Sequence, residues 1–244
     1  MPSRSAVKEA ARVIEPSNDI KRSYSGIPYY GGANARVKLG ADRLQYDKTK
    51  RGMDILLAST GLFVLFPLLF IVAILIKWDD PKGGFFFFQE RVGKDGRLFR
   101  MVKFRTMIVD AENMLQDLLV RNEIKGNMFK MKNDPRVTRI GRLLRKTSVD
   151  ELPQLWNVLR GEMSLVGPRP CLPREAKNYS SIDKLRLAVT PGCTGLWQVS
   201  GRNALSFEQM VELDLHYIRH RSLGMDMKLM LRTVKIMVLP NDAY

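Results

Sequence analysis

"ILLASTGLFVLFPLLFIVAILI", residues 55–76, runs for 22 residues without a charged side chain. As a straight helix it would extend about 33 Å, enough for the roughly 30 Å hydrocarbon layer of a bilayer. A signal peptide is excluded: the run starts more than fifty residues in, is too long, and is followed by Lys77-Trp78-Asp79-Asp80 where a cleavage site would carry small residues. The segment is read as the single membrane element of the chain, since the low overall hydropathy excludes a polytopic bundle.

Two features argue against a simple span. Pro67 sits near the middle of the run, where it removes a backbone hydrogen bond and favours a kink. Both flanks are basic: Lys48, Lys50 and Arg51 before, and Lys77, Lys82, Arg91, Lys94 and Arg97 after. Such flanks favour the cytoplasmic side. A helix broken at Pro67 that enters and leaves by one face satisfies both; a kinked span, with proline tolerated by the bilayer, is the alternative.

Working outward, the 244 residues hold 40 Lys and Arg against 25 Asp and Glu, a net charge of +15. That charge implies polyanionic partners: nucleic acid, anionic membrane or phosphorylated substrates. The two cysteines, Cys171 and Cys193, have no metal-site or framework spacing and fit a reducing compartment. The fold class expected is α+β, mostly helical, in three parts. Residues 1–49 are expected to form a disordered or loosely attached tail, 50–78 the membrane helix, and 79–244 one further domain with interfacial amphipathic helices.

Within that domain, "GGFFFFQERVGKDGRLFRMVKFRTM" reads as a hairpin turning at Gly93-Lys94-Asp95-Gly96. Helical spacing follows from about Met107 to Ile124, and a short helix after Asn133-Asp134-Pro135 places Ile140, Leu143 and Leu144 on one face. In "DELPQLWNVLRGE", Leu152, Leu155, Trp156 and Leu159 mark an amphipathic helix, with Asp150 as its N-cap and Pro153 in its first turn. Near the end, Met227, Met230, Leu231, Val234 and Val238 share a face, with Lys228, Arg232 and Lys235 on another; this suits a core helix or an interfacial one, the basic face favouring the interface.

Asp150 and Glu151 stand out because they follow a cationic stretch: Arg121 to Lys146 holds nine Lys or Arg against two acids. The bland account is a capping box, with Ser148 and Glu151 at the right spacing. The surroundings point further. A carboxylate beside arginines stays ionised, while neighbouring arginines hold phosphate oxygens. A carboxylate nucleophile with a clamped phosphate is a covalent strategy, and carboxylate plus phosphate suits Mg²⁺. The sequence has no P-loop, dinucleotide, zincin or serine-hydrolase motif. His216 and His220, four apart, lack a third ligand nearby and read as surface or packing residues.

"KRGMD", "QERVGKDGRLFRMVKFRTM", "DPRVTRIGRLLRKTSVDELPQLWNVLRGEMSLVGPRP" and "TPGCTGLWQVSGRN" resemble the bacterial sugar transferases. More narrowly, they are similar to the monotopic polyprenyl-phosphate hexose-1-phosphate transferases that start exopolysaccharide assembly. The resemblance runs from about Lys50 to the C-terminus and implies an enzyme, a phosphoglycosyl transferase. Its substrates would be a UDP-hexose and undecaprenyl phosphate, with UMP released through a covalent phosphosugar on Asp150. By the same resemblance Glu151 assists, Asp150 is the carboxylate linked to Mg²⁺, and Arg145 and Arg169 handle phosphate. The resemblance also implies that the membrane helix is re-entrant and that the domain over 79–244 is cytoplasmic and catalytic. The family's helix break has a polar residue before the proline; here it is Phe66-Pro67. Lys103 and Arg105 of "KFRTM" are candidate phosphate contacts, and Gln198, Arg202 and Asn203 candidate substrate contacts. The expected location is the inner membrane, catalytic domain facing the cytoplasm, with anionic lipids as partners and no nucleic acid. A homo-oligomer is neither required nor excluded by the sequence, and glucose and galactose are the leading sugars. A non-catalytic membrane scaffold of the same fold is the competing class.

Overall fold

The computed structural model describes residues 41–111, 113–114, 131, 134–200 and 205–238. The chain divides into two units, Met1–Thr49 and Lys50–Tyr244. Of the first, only residues 41–49 are described, as the opening turns of a helix; most of the tail expected over 1–49 lies outside the described residues.

That helix, α1 (Ala41–Asp79), carries the uncharged run. Helix is the conformation a single apolar segment must adopt in lipid, because its amides find partners only within the segment. By length and composition it is the one helix among the described residues able to cross a membrane, and 11 % of its most apolar window is buried. A core helix of a soluble protein would be mostly covered. Phe63, Val64, Phe66 and Phe70 instead present exposed side chains. The sequence predicts a break at Pro67; the structure carries one helical element through the proline.

Both ends of α1 are tied to the rest of the second unit. Near its start, Arg51 donates to the carbonyls of Val158 and Leu159, and Asp54 accepts from the Leu165 amide at 3.1 Å. At its end, Asp79 accepts from the Ile140 amide at 3.0 Å, and Asp80 takes both a side-chain and a backbone contact from Arg105.

The hairpin forms as predicted. β1 (Phe86–Val92) pairs antiparallel with β2 (Leu98–Phe104), Phe87 opposite Lys103 and Phe86 opposite Phe104. The turn needs left-handed backbone, which Asp95 (φ 55°) and Gly96 (φ 79°) supply. Because strand side chains alternate, β2 offers two different faces. Phe99 and Met101 pack with Ala58, Val158 and Met163. Phe104 packs with Val72, Ile76 and Leu144.

Two short helices follow, α2 (Arg139–Thr147) and α3 (Gln154–Arg160). The Thr138 hydroxyl caps α2 by accepting from the Gly141 amide at 3.0 Å. Gly141 itself is required by close approach: a Cβ there would collide with the Thr106 carbonyl. Two predicted faces differ. In α2, Leu144 is buried but Leu143 is exposed; in α3, Gln154, Asn157 and Val158 are buried while Trp156 is exposed. The reason in α3 is polar. Asn157 accepts from the Val102 amide at 2.9 Å and donates to the Arg100 carbonyl at 2.8 Å, satisfying the outer edge of β2. The helix predicted from Met107 is replaced at its start by a bridge between Met107 and Val137 and turns at 109–111; residues 112 and 115–130 lie outside the described set.

β3 (Ser164–Val166) and β4 (Gly192–Thr194) form a small parallel pair. Between and after them come α4 (Pro173–Lys177), α5 (Leu196–Ser200), α6 (Phe207–His220) and α7 (Leu223–Val238). In α7, Asp226 and Leu229 face inward, and the predicted apolar face exposes Met227, Leu231 and Val234. Inside, Asp226 accepts from Lys50 Nζ at 2.9 Å and from the Tyr217 hydroxyl at 2.8 Å.

Candidate active site

Asp150 and Glu151 lie in a single 3-10 turn, Val149–Glu151, between α2 and α3. This corrects the predicted capping arrangement. Ser148 is left-handed (φ 57°) and closes α2, its side chain capping nothing; Pro153 stands at the start of α3. Glu151 is thereby released from capping, and its carboxylate turns to cations. Oε1 accepts from Lys103 Nζ at 2.6 Å and from Arg169 Nη2 at 3.3 Å. Strand β2, the turn and the loop after β3 thus converge on one side chain.

Asp150 differs from its neighbour. Among the described residues it makes no ion pair, and it takes a hydrogen bond from its own backbone amide. Burial, then the adjacent Glu151 charge, pushes its carboxyl up to about 6, against the opposing pull of Lys103 and Arg145. For Glu151, burial also works upward, but Lys103 and Arg169 outweigh it and hold the carboxyl at about 2. Burial keeps the Lys103 amine below its ordinary value despite Glu151. At neutral pH the turn therefore presents one carboxylate fully matched by cations and a second, desolvated one without a matching partner.

The remaining candidates separate. Arg145, in the last turn of α2, donates from Nε to the Thr106 hydroxyl at 2.9 Å, which sets its guanidinium on the Asp150 side. Gln198 donates to the Cys193 carbonyl at 3.2 Å. Arg105, the residue after β2, is buried and pairs with Asp80, so it joins the end of the hairpin to the end of α1. Arg202 and Asn203 lie outside the described residues. Arg91 was not singled out for the site; buried, it donates to the Pro170 carbonyl at 2.9 Å and braces the loop of Arg169. Burial and then the Arg169 charge lower it to about 10. Its place in the "QERVG" run was the available signal.

Metal ligation rests on few groups. Among the described residues no set of three His, Cys, Asp or Glu could hold an ion. His216 and His220 sit with ring centroids 4.3 Å apart and planes tilted by 32°. Mg²⁺ takes one or two carboxylates and completes its shell with water and phosphate oxygens. The Asp150 carboxylate, without a cation of its own, fits that requirement; Glu151 Oε1, held by two cations, does not.

Residues 45–240 match the family model for the bacterial sugar transferases. The chain is 39 % identical over 236 residues to the UDP-galactose-lipid carrier transferase of Erwinia amylovora, covering 91 % of this chain and 49 % of that protein. It is 40 % identical to the exopolysaccharide production protein ExoY of Sinorhizobium fredii, covering 80 % of this chain and 88 % of the other. It is also 40 % identical to the undecaprenyl-phosphate galactose phosphotransferase of Salmonella typhimurium, covering 80 % and 41 %. The chain therefore spans nearly all of ExoY and under half of the other two relatives.

Proposed function

The chain belongs to the bacterial sugar transferase family, and from that membership we propose that it transfers hexose 1-phosphate from a UDP-hexose to undecaprenyl phosphate. Asp150 is the nucleophile. Its carboxylate oxygen forms a bond to the β-phosphorus, the bond to UMP breaks, and UMP leaves with the electron pair. An oxygen of the lipid phosphate then attacks the same phosphorus and displaces the Asp150 carboxylate, giving undecaprenyl-diphosphate-hexose. The observation that carries this reading is the contrast inside the dyad: Glu151 is neutralised by Lys103 and Arg169, while Asp150 is desolvated and unmatched. Desolvation keeps a carboxylate reactive, and cations beside it receive the phosphate charge. Arg169 is one-third exposed, so a phosphate can reach it. Arg145 approaches Asp150 from the side of α2. Mg²⁺ held by Asp150 and the diphosphate would neutralise the charge that develops on the leaving group. The relatives' names supply the substrate classes, UDP-galactose for one and undecaprenyl phosphate for another.

The membrane element is read as re-entrant, with the catalytic domain on the cytoplasmic face of the inner membrane. Ala58 packs with Met101, and Val72 with Phe104. Those strand residues are about 10 Å apart along β2 and point to opposite faces. On a straight helix Ala58 and Val72 would be about 21 Å apart. Contacts at both ends of the helix with one short hairpin are compatible with a kink at Pro67, and such a kink would bring both basic flanks to one side. It also sets the dyad at headgroup depth, where the lipid phosphate lies and basic residues attract anionic lipids.

Incubation with UDP-galactose or UDP-glucose and Mg²⁺ in detergent tests the reading. A transferase releases UMP and, with undecaprenyl phosphate, forms the lipid diphosphate sugar. A membrane scaffold of this fold releases none above background.

A further inference from the structure

The strand paired with the one that carries the dyad's lysine partner opens on consecutive phenylalanines, Phe86, Phe87 and Phe88, and they do not all face the same way. Phe86 stacks on Phe104 at 5.5 Å and meets Phe88 edge-on at 6.4 Å. Their face is the one that packs, through Phe104, against Val72 and Ile76 of α1. Phe87 points to the other face, directly across from Lys103. Lys103 in turn touches Glu151 at 2.6 Å. The Phe87 side chain is 37 % exposed, beside a cluster of charges. With Phe85, Phe86 and Phe88 also exposed, the ring belongs to a contiguous apolar patch of the kind that marks a lipid or ligand contact.

We propose that Phe87 forms the apolar wall on which the first isoprene units of the prenyl phosphate acceptor lie. The argument for this occupant is complementarity and continuity. An amphiphile with a phosphate head and a hydrocarbon tail needs cations and an apolar surface side by side, and Lys103 and Phe87 are adjacent across one strand pair. The route from the bilayer is short. Exposed Phe86 and Phe88 continue the apolar surface of α1 on one side of β1, and Phe87 continues it onto the site side. A nucleobase could stack on the same ring but has no need of that approach from lipid.

This inference rests on the transferase reading, and two measurements keep their failures apart. In the first, Phe87→Ser is compared with wild type in both half-reactions. The KM for undecaprenyl phosphate rises about tenfold, the scale of one lost apolar contact surface, while UMP release from UDP-hexose keeps its KM. Phe87→Leu restores most of the acceptor affinity. Leu98→Ser, an exposed apolar position at the far end of the hairpin, leaves the acceptor KM within twofold. An equal rise in the UDP-hexose KM, or an equal effect of Leu98→Ser, overturns the proposal. The second measurement needs no turnover. A diazirine-bearing farnesyl phosphate labels the wild-type protein, competed by undecaprenyl phosphate, and labels Phe87→Ser severalfold less at equal membrane recovery. Labelling of Phe87→Ser at the wild-type level overturns the proposal, whatever the assay of UMP release gives.

Discussion

Two places in this protein bring lysine and carboxylate together, and they are built to opposite ends. At the base of α1, Lys50 meets Asp226, which is fully buried and shared with the Tyr217 hydroxyl, and Tyr217 donates also to the Val166 carbonyl at 3.1 Å. At the turn after α2, Lys103 and Arg169 meet Glu151, yet the neighbouring Asp150 is given no cation of its own. In the first cluster a buried charge is fully matched and the result is an anchor for β3. In the second, matching one acid completely leaves the other desolvated and raised to about 6. Stability and reactivity are thus assigned to different carboxylates.

Several variants break or sharpen that comparison. The largest effect is expected from Asp150→Asn, which should lower UMP release by at least about a thousandfold, as removal of a covalent nucleophile does. The same variant should be more stable, not less. A raised carboxyl pKa means the folded state gains stability at low pH and loses it as pH rises from the ordinary value through about 6. At pH 7.5 the asparagine removes that cost, at most about 3 kcal/mol in denaturant unfolding.

Lys50→Met reverses the pattern. It leaves Asp226 buried without its cation and should lower stability by roughly 3–5 kcal/mol. UMP release per folded molecule should stay within a few fold, since the pair lies at the base of α1 and not at the dyad. Glu151→Gln comes next: Lys103 and Arg169 lose their charge partner, and kcat should fall about tenfold to a hundredfold. With one negative neighbour gone, the Asp150 pKa should move down, shifting the acid limb of the rate profile to lower pH. The smallest effect is in the wild-type profile itself. Below about pH 6 Asp150 takes up a proton, so kcat/KM for UDP-hexose should fall tenfold per pH unit.

How far these features were legible depended on the range of the interaction. The apolar run, the hairpin turn and the amphipathic α7 follow from local pattern, and each is present. Asp150 and Glu151 stood out against a cationic background. What could not be read were partners brought together from far along the chain. Arg105 stood beside Lys103 as a candidate phosphate contact, and its partner across the fold, Asp80 at the end of α1, left no local signal. Asn157, an ordinary polar residue on a helix that seemed to bury its leucines and tryptophan, is buried because the β2 edge needs its amide. Ser148 and Glu151 had the spacing of a capping box, yet the helix before them ended on Ser148 itself. Periodicity finds faces; it does not say which carbonyl or cation waits across the gap.

The central claim is that the unmatched acid of the pair becomes the covalent one. Wild-type protein mixed with UDP-hexose and Mg²⁺, without lipid acceptor, should gain the mass of one hexose phosphate, carried on the peptide that contains Asp150 and discharged when undecaprenyl phosphate is added. An adduct on Glu151 or on another residue, or UMP release with no adduct at any time, would contradict it.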